Sequence, residues 1–184
     1  TVNGTLQLDS GANPPGGNPF VYNAGSALVF NQSASLTLSN TTCWPSGANA
    51  PPNVALQGGG SVVFPAPTDR TITGTLTLAN GILDLAGGTL SLGSASTVAG
   101  GNAASYVRGV IGRAVGASAS TLLADFPIGD AVGWAPLELS FPSIGTGGTL
   151  TVSTSAGDHT AIATSGIDAA HSVNRTWSVT NSGV

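Results

Sequence analysis

Leucines fall in pairs along this chain, the two members split by one polar residue and the pair followed by Ala, Asn, Ser or Gly. The densest run is TITGTLTLANGILDLAGGTLSLGS, from Thr71 to Ser94. One phrase occurs there three times at a seven-residue step: GTLTLAN from Gly74, GILDLAG from Gly81 and GTLSLGS from Gly88. Leu76, Leu83 and Leu90 head the pairs; Leu78, Leu85 and Leu92 close them. Alternation of this kind predicts short strands with one buried face, and the small residues between them supply tight corners. Related phrases open the chain (TVNGTLQLD, 1–9) and return at SASLTLSN (33–40). Apolar segments at Phe20–Tyr22, Ala27–Phe30, Val54–Leu56 and Ser61–Phe64 predict further strands. SGANPPGGNP (10–19), TTCWPSGANAPPN (41–53) and Pro65–Asp69 break the pattern as loops.

Two architectures accommodate strands this short. In a parallel β-helix, three such sides make one coil of roughly 21 residues. In an antiparallel meander, Ala79-Asn80-Gly81 and Ala86-Gly87-Gly88 serve as hairpin loops. Periodicity alone does not separate them. Asn and Gly corners at a constant step favour the β-helix, as does the scarcity of charge, because stacked coils set like residues over one another.

Beyond Ser105 the predicted strands lengthen: Tyr106–Val115, Leu137–Phe141, Thr149–Thr154 and Arg175–Thr180. No helical period of useful length occurs. The reading is an all-β chain, with a β-helix-like repeat region over 1–103 and an Ig-like β-sandwich over 104–184. The sandwich is expected to be incomplete, since few residues follow Ser178-Val179-Thr180. No signal peptide is visible at Thr1, so the expectation is a mature chain or a fragment, and strand-like sequence at both ends favours a fragment.

Charge narrows the function classes. Only 7 % of residues are charged, Lys is absent, the net charge is −4, and no charged residue lies between Asp9 and Asp69. Mean hydropathy is +0.27, yet Ser, Thr, Asn and Gly interrupt every apolar run well short of the about 18 residues a spanning helix needs. The strand phrases are also shorter than the roughly ten-residue strands of a porin-like barrel. No membrane insertion is therefore expected. Arg70, Arg108, Arg113 and Arg175 are scattered, which argues against nucleic acid. Hydrophobic content of 41 % in period-two runs predicts a folded rather than a disordered chain.

Three stretches together resemble a recurrent module of large secreted surface proteins of Bacteroidetes. They are GTLTLANGILDLAGGTLSLGSASTVAGGNAASYVRGVIGR, FPIGDAVGWAPLEL and VNRTWSVTNSG. The segment from Ser26 to Asn53, with Trp44-Pro45, is similar too, so the resemblance covers nearly the whole chain. In that family a β-rich repeat region precedes a β-sandwich, and a C-terminal sorting domain directs export. Cys43 and the absence of Lys depart from many members. The resemblance implies an extracellular or cell-surface structural and adhesive role, with no catalytic residues to carry over.

Candidate chemistry is sparse. Asp125 and Asp130, in DFPIGD, are weak candidates for oxygen ligands to Ca²⁺, but the spacing of a calcium loop is missing. Glu138, Asp158, His159, Asp168 and His171 complete the candidates for polar chemistry in the second half; the Asp158-His159 pair and His171 show no zinc spacing and read as turn and surface residues. No nucleophile elbow, metalloprotease, phosphate-loop or dinucleotide motif occurs, so neither an enzyme nor a cofactor is expected. Trp134, in a Gly-rich turn, is a candidate platform for stacking a sugar; Trp177 alternates with Val179 and is expected to face inward. Cys43 is the single cysteine. It reads first as a small buried hydrophobe, with an intermolecular disulfide as the sharper alternative. Thr71, Thr73, Thr75 and Thr77 alternate as an ice-binding array would, but neighbouring phrases do not repeat them. The partners this predicts are copies of the chain, neighbouring domains of the same polypeptide, or surface glycans.

Overall fold

The computed structural model describes residues 1–118 and 122–183. Fifteen strands carry it, with three single-turn 3-10 segments and no α-helix among these residues. Among the described residues no helix is long and apolar enough to cross a membrane.

Strands β1 (Thr5–Asp9), β2 (Ala27–Asn31), β4 (Asn53–Gln57), β7 (Thr75–Leu78) and β9 (Thr97–Gly100) form one five-stranded sheet, every pairing parallel. Leu6, Leu28, Val54, Leu76 and Val98 lie in one register column, at steps of 22, 26, 22 and 22 residues. Between them the chain runs round two further sides. The second is built by β3 (Leu36–Thr37), β5 (Val62–Val63) and the first half of β8 (Leu83–Leu92). The third is built by β6 (Arg70–Ile72) and the second half of β8. A path of about five coils results, a β-solenoid-like arrangement, and the meander is set aside: Leu76, Leu83 and Leu90, one repeat phrase apart, head three successive sides of a single coil.

The repeat is legible in the packing. Leu76, Leu78, Leu83, Leu85, Leu90 and Leu92 are all at most 2 % exposed. They stack on Leu28, Phe30, Val54, Leu56, Val62, Phe64 and Ile72 from the coils beneath. The glycine opening each phrase has a steric cause. A Cβ on Gly74 would lie 2.4 Å from Asn53 Oδ1, on Gly81 2.5 Å from the Gly60 carbonyl, and on Gly88 2.3 Å from the Thr68 carbonyl. The corners rest directly on the previous coil, and only hydrogen fits. Asn53 ties three coils together: its Nδ2 donates to the Ser26 carbonyl at 3.0 Å and its Oδ1 accepts from the Thr75 amide at 2.9 Å. Outward residues also stack like on like, as in Thr75 with Thr97 (3.0 Å) and Asn31 with Asp9 (2.8 Å). The four alternating threonines do not share a face, for Thr71 lies in β6 while Thr75 and Thr77 lie in β7.

Strand β10 (Val107–Val115) joins both halves. On one side it continues the solenoid, parallel to β8; on the other it pairs antiparallel with β14 (Gly148–Ala156), which pairs with β15 (Arg175–Ser182). The short β12 (Ile128–Gly129) pairs with the start of β10, while β11 (Leu122–Phe126) and β13 (Leu137–Phe141) form a separate two-stranded ribbon. An Ig-like sandwich over 104–184 is thus not established: β14 and β15 extend the solenoid's own sheet. The sequence boundary at 103/104 falls between β9 and β10, both strands of the fifth coil.

Candidate functional site

The residues singled out for chemistry separate into three places. Trp134 stands at the wall of an open cleft of about 320 Å³ where the ribbon meets the last corner of the solenoid. Its ring lies 6.0 Å from that of Tyr106, tilted by 50°, and it closes over Gly101, where a Cβ would come within 3.2 Å of the indole. Gly101 has φ +102°, a conformation other residues adopt only under strain. Backbone and ring therefore fix Trp134 in place, half-buried, with Pro136 and Leu137 beside it.

Asp125 lines the same cleft, and directly across the ribbon from it stands Glu138. Both are exposed. Like charges placed opposite each other on one ribbon repel, so the pair presents four carboxylate oxygens to whatever enters. A stacking ring beside hydrogen-bond acceptors is a combination suited to a sugar. Glu138 is a candidate for polar chemistry by its residue type alone, and nothing in the sequence pairs it with Asp125. Its signal is weak: it is the polar residue between Leu137 and Leu139, and only the register of the ribbon brings it to Asp125.

Asp130 does not join Asp125, which corrects the expected calcium pair. Its Oδ1 accepts from the amides of Val132 (2.8 Å) and Gly133 (3.1 Å), and Arg175 Nη1 stands 3.0 Å from its Oδ2. That contact is an ion pair between two largely buried groups. Burial raises the Asp130 pKa, but the two amides and Arg175 outweigh it and hold the carboxyl below its ordinary value. A turn and an ion pair use this carboxylate up. Among the described residues no group of three His, Cys, Asp or Glu side chains is placed to hold a metal ion.

Cys43 lies wholly inside the solenoid at 0 % exposure, beside Trp44, which packs between Phe30 and Phe64 at ring distances of 6.4 and 5.9 Å. Burial pushes the thiol up to about 11. A thiol so placed cannot reach a neighbouring chain unless the coil opens, so the intermolecular disulfide gives way to the small buried hydrophobe. Trp177 is partly buried as expected, its Nε1 donating to the Ala135 carbonyl at 3.1 Å. His171 and Asp168 pair on the surface at 2.7 Å, and Asp158 accepts from Ser172, in the loop between β14 and β15. No protein-family model, curated protein or solved structure matches the chain.

Proposed function

We propose that this chain is a non-enzymatic extracellular module of structural or adhesive role, a unit of a surface protein or filament that grows by strand addition. One observation carries the reading: β1, at the edge of the five-stranded parallel sheet, pairs with β2 on one side and with no strand on the other among the described residues. Its outer N–H and C=O groups are a template for another strand. The partner is a second copy or a neighbouring part of the same polypeptide. The surface-protein resemblance implies the same role. On this reading residues 104–184 contribute to an Ig-like sandwich that strands from outside complete, with β11 and β13 as its nucleus. Light scattering and electron microscopy of the purified chain test it. Oligomers joined end to end are expected, and removal of residues 1–9 is expected to abolish them; isolated monomers at high concentration would overturn the proposal.

A second reading rests on the cleft. Trp134, Asp125 and Glu138 are gathered from separate segments into one opening, which supports a glycan-binding module. A glycan array decides it, with binding expected to disappear in Trp134→Ala.

A further inference from the structure

Arg70 occupies a position that the pattern reserves for a leucine. In β6 the alternation turns Arg70 and Ile72 inward, and Arg70 is in register with Leu90 of the next coil. The residue is only 5 % exposed. Its guanidinium carbon lies 5.1 Å from the Phe64 ring centroid, and Nη1 donates to its neighbour's carbonyl, that of Asp69, at 2.7 Å. Nε is buried with no hydrogen-bond partner. Among the described residues no carboxylate forms an ion pair with it, and Asp69 favours the charge only through space. The ion pairs among the described residues are Arg108–Asp84, His171–Asp168 and Arg175–Asp130, and the Asp69 carboxylate is turned to the Thr89 amide at 2.8 Å. Nor does the adjacent thiol, which burial keeps protonated. A charge withdrawn from water without a directly paired counter-ion is costly.

The guanidinium is not sealed in. It forms the floor of a cavity of about 350 Å³ whose rim is Pro19, the 41–49 loop and Thr68. The lining holds no acidic residue. Thr41, Ser46 and Asn49 line it too, and none of their side chains makes a hydrogen bond among the described residues. A single fixed guanidinium ringed by neutral donors matches one planar, singly charged group; a dianion would call for a second cation, and none lines the cavity.

We propose that this cavity is a binding site for a carboxylate, with Arg70 as the charged anchor and Thr41, Ser46 and Asn49 as neutral donors around it. The carboxylate can belong to a small free acid or to the acidic sugar of a polymer, and the two are separable. Calorimetric titration of the intact chain with sodium acetate, sodium glucuronate and glucose provides the test. Saturable millimolar binding of glucuronate and none of glucose is expected, as one charge-assisted contact plus neutral hydrogen bonds allow. Acetate binding as tightly as glucuronate assigns the site to small acids; weaker acetate binding assigns it to acidic sugars. Arg70→Gln is expected to weaken binding at least about tenfold, the loss of one charged contact, and Arg113→Gln to leave it unchanged. Should Arg70→Gln fail to fold, an amide NMR titration of the unaltered chain carries the test. Shifts centred on residues 41–49 and 68–70 support the site. Shifts confined elsewhere, glucose binding equal to glucuronate, or no saturation overturn it.

Discussion

Arg108 sits directly above Asp84 in the ladder between the fourth and fifth coils, with Nη1 3.0 Å from Oδ2. The other oxygen of Asp84 accepts from the Ala86 amide at 2.8 Å. Ala86 has φ +53°, which a residue with a Cβ adopts at a cost. One carboxylate thus holds the next coil with one oxygen and a strained corner with the other. Asp84→Ala is expected to destabilise the chain by about 1 kcal/mol, since the ion pair is part-exposed and screened. Ala86→Gly relieves the corner and is expected to stabilise by roughly 0.5–1 kcal/mol, the backbone strain removed less the extra freedom of glycine when unfolded. Urea titration of both variants and the double mutant measures this. Strict additivity would mean that the carboxylate does not hold the corner.

The repeat glycines predict a graded series. Gly88→Ala drives a Cβ onto the Thr68 carbonyl and is expected to cost about 2–3 kcal/mol. Gly16→Ala, with open space around it and no positive φ, is expected to be near neutral. Thermal unfolding followed by circular dichroism ranks them, and equal melting temperatures would refute the corner contact.

Acid is expected to loosen the C-terminal half. The Asp130 carboxyl titrates lower in the folded chain than when unfolded, so its stabilisation is complete above pH about 4 and fades as pH falls through the folded value. Asp130→Asn removes that term. The stability gap between parent and variant is expected at pH 7 and should narrow progressively in acid as the Asp130 carboxyl takes up its proton. A gap independent of pH would assign the effect to packing. Asp9 and Asp168, both held low by hydrogen bonds at the surface, titrate alike in the two proteins and cancel.

Cys43 is expected to resist a thiol reagent at pH 8 in the native chain and to react fully in denaturant, because it is both buried and protonated. Rapid labelling of the native protein would show that the coil around Trp44 opens readily.

Trp134→Ala is expected to abolish any glycan signal while lowering the melting temperature by only a few degrees, since the ring is half-exposed and its loss removes one aromatic contact. Glu138→Gln separates charge from shape: binding that survives it rests on stacking.

The solenoid could be read from the chain because its signal is periodic and local. Leu76 to Leu92 spells one coil in consecutive residues, and each corner glycine touches the coil immediately before. The cleft could not be read so directly. Asp125 meets Glu138 through a register set by the ribbon, and nothing in either flanking phrase encodes that opposition. Arg70 was hidden for the converse reason. Arginine beside Asp69, after a proline-rich break, looks like the end of a solvated loop, whereas the stack carries it inside. The junction at β10 escaped because one strand serves two kinds of neighbour, and alternation along it is the same for both.

The second coil has one further implication. Its step is 26 residues where the others on the first sheet are 22, and the surplus lies in the turn that carries Trp44 and faces Arg70. The sheets above and below do not register the added length, because each layer rests only on its neighbours. Scaffold and display are thereby under separate control: side lengths are held by leucine and glycine, while the text between them can be rewritten one layer at a time.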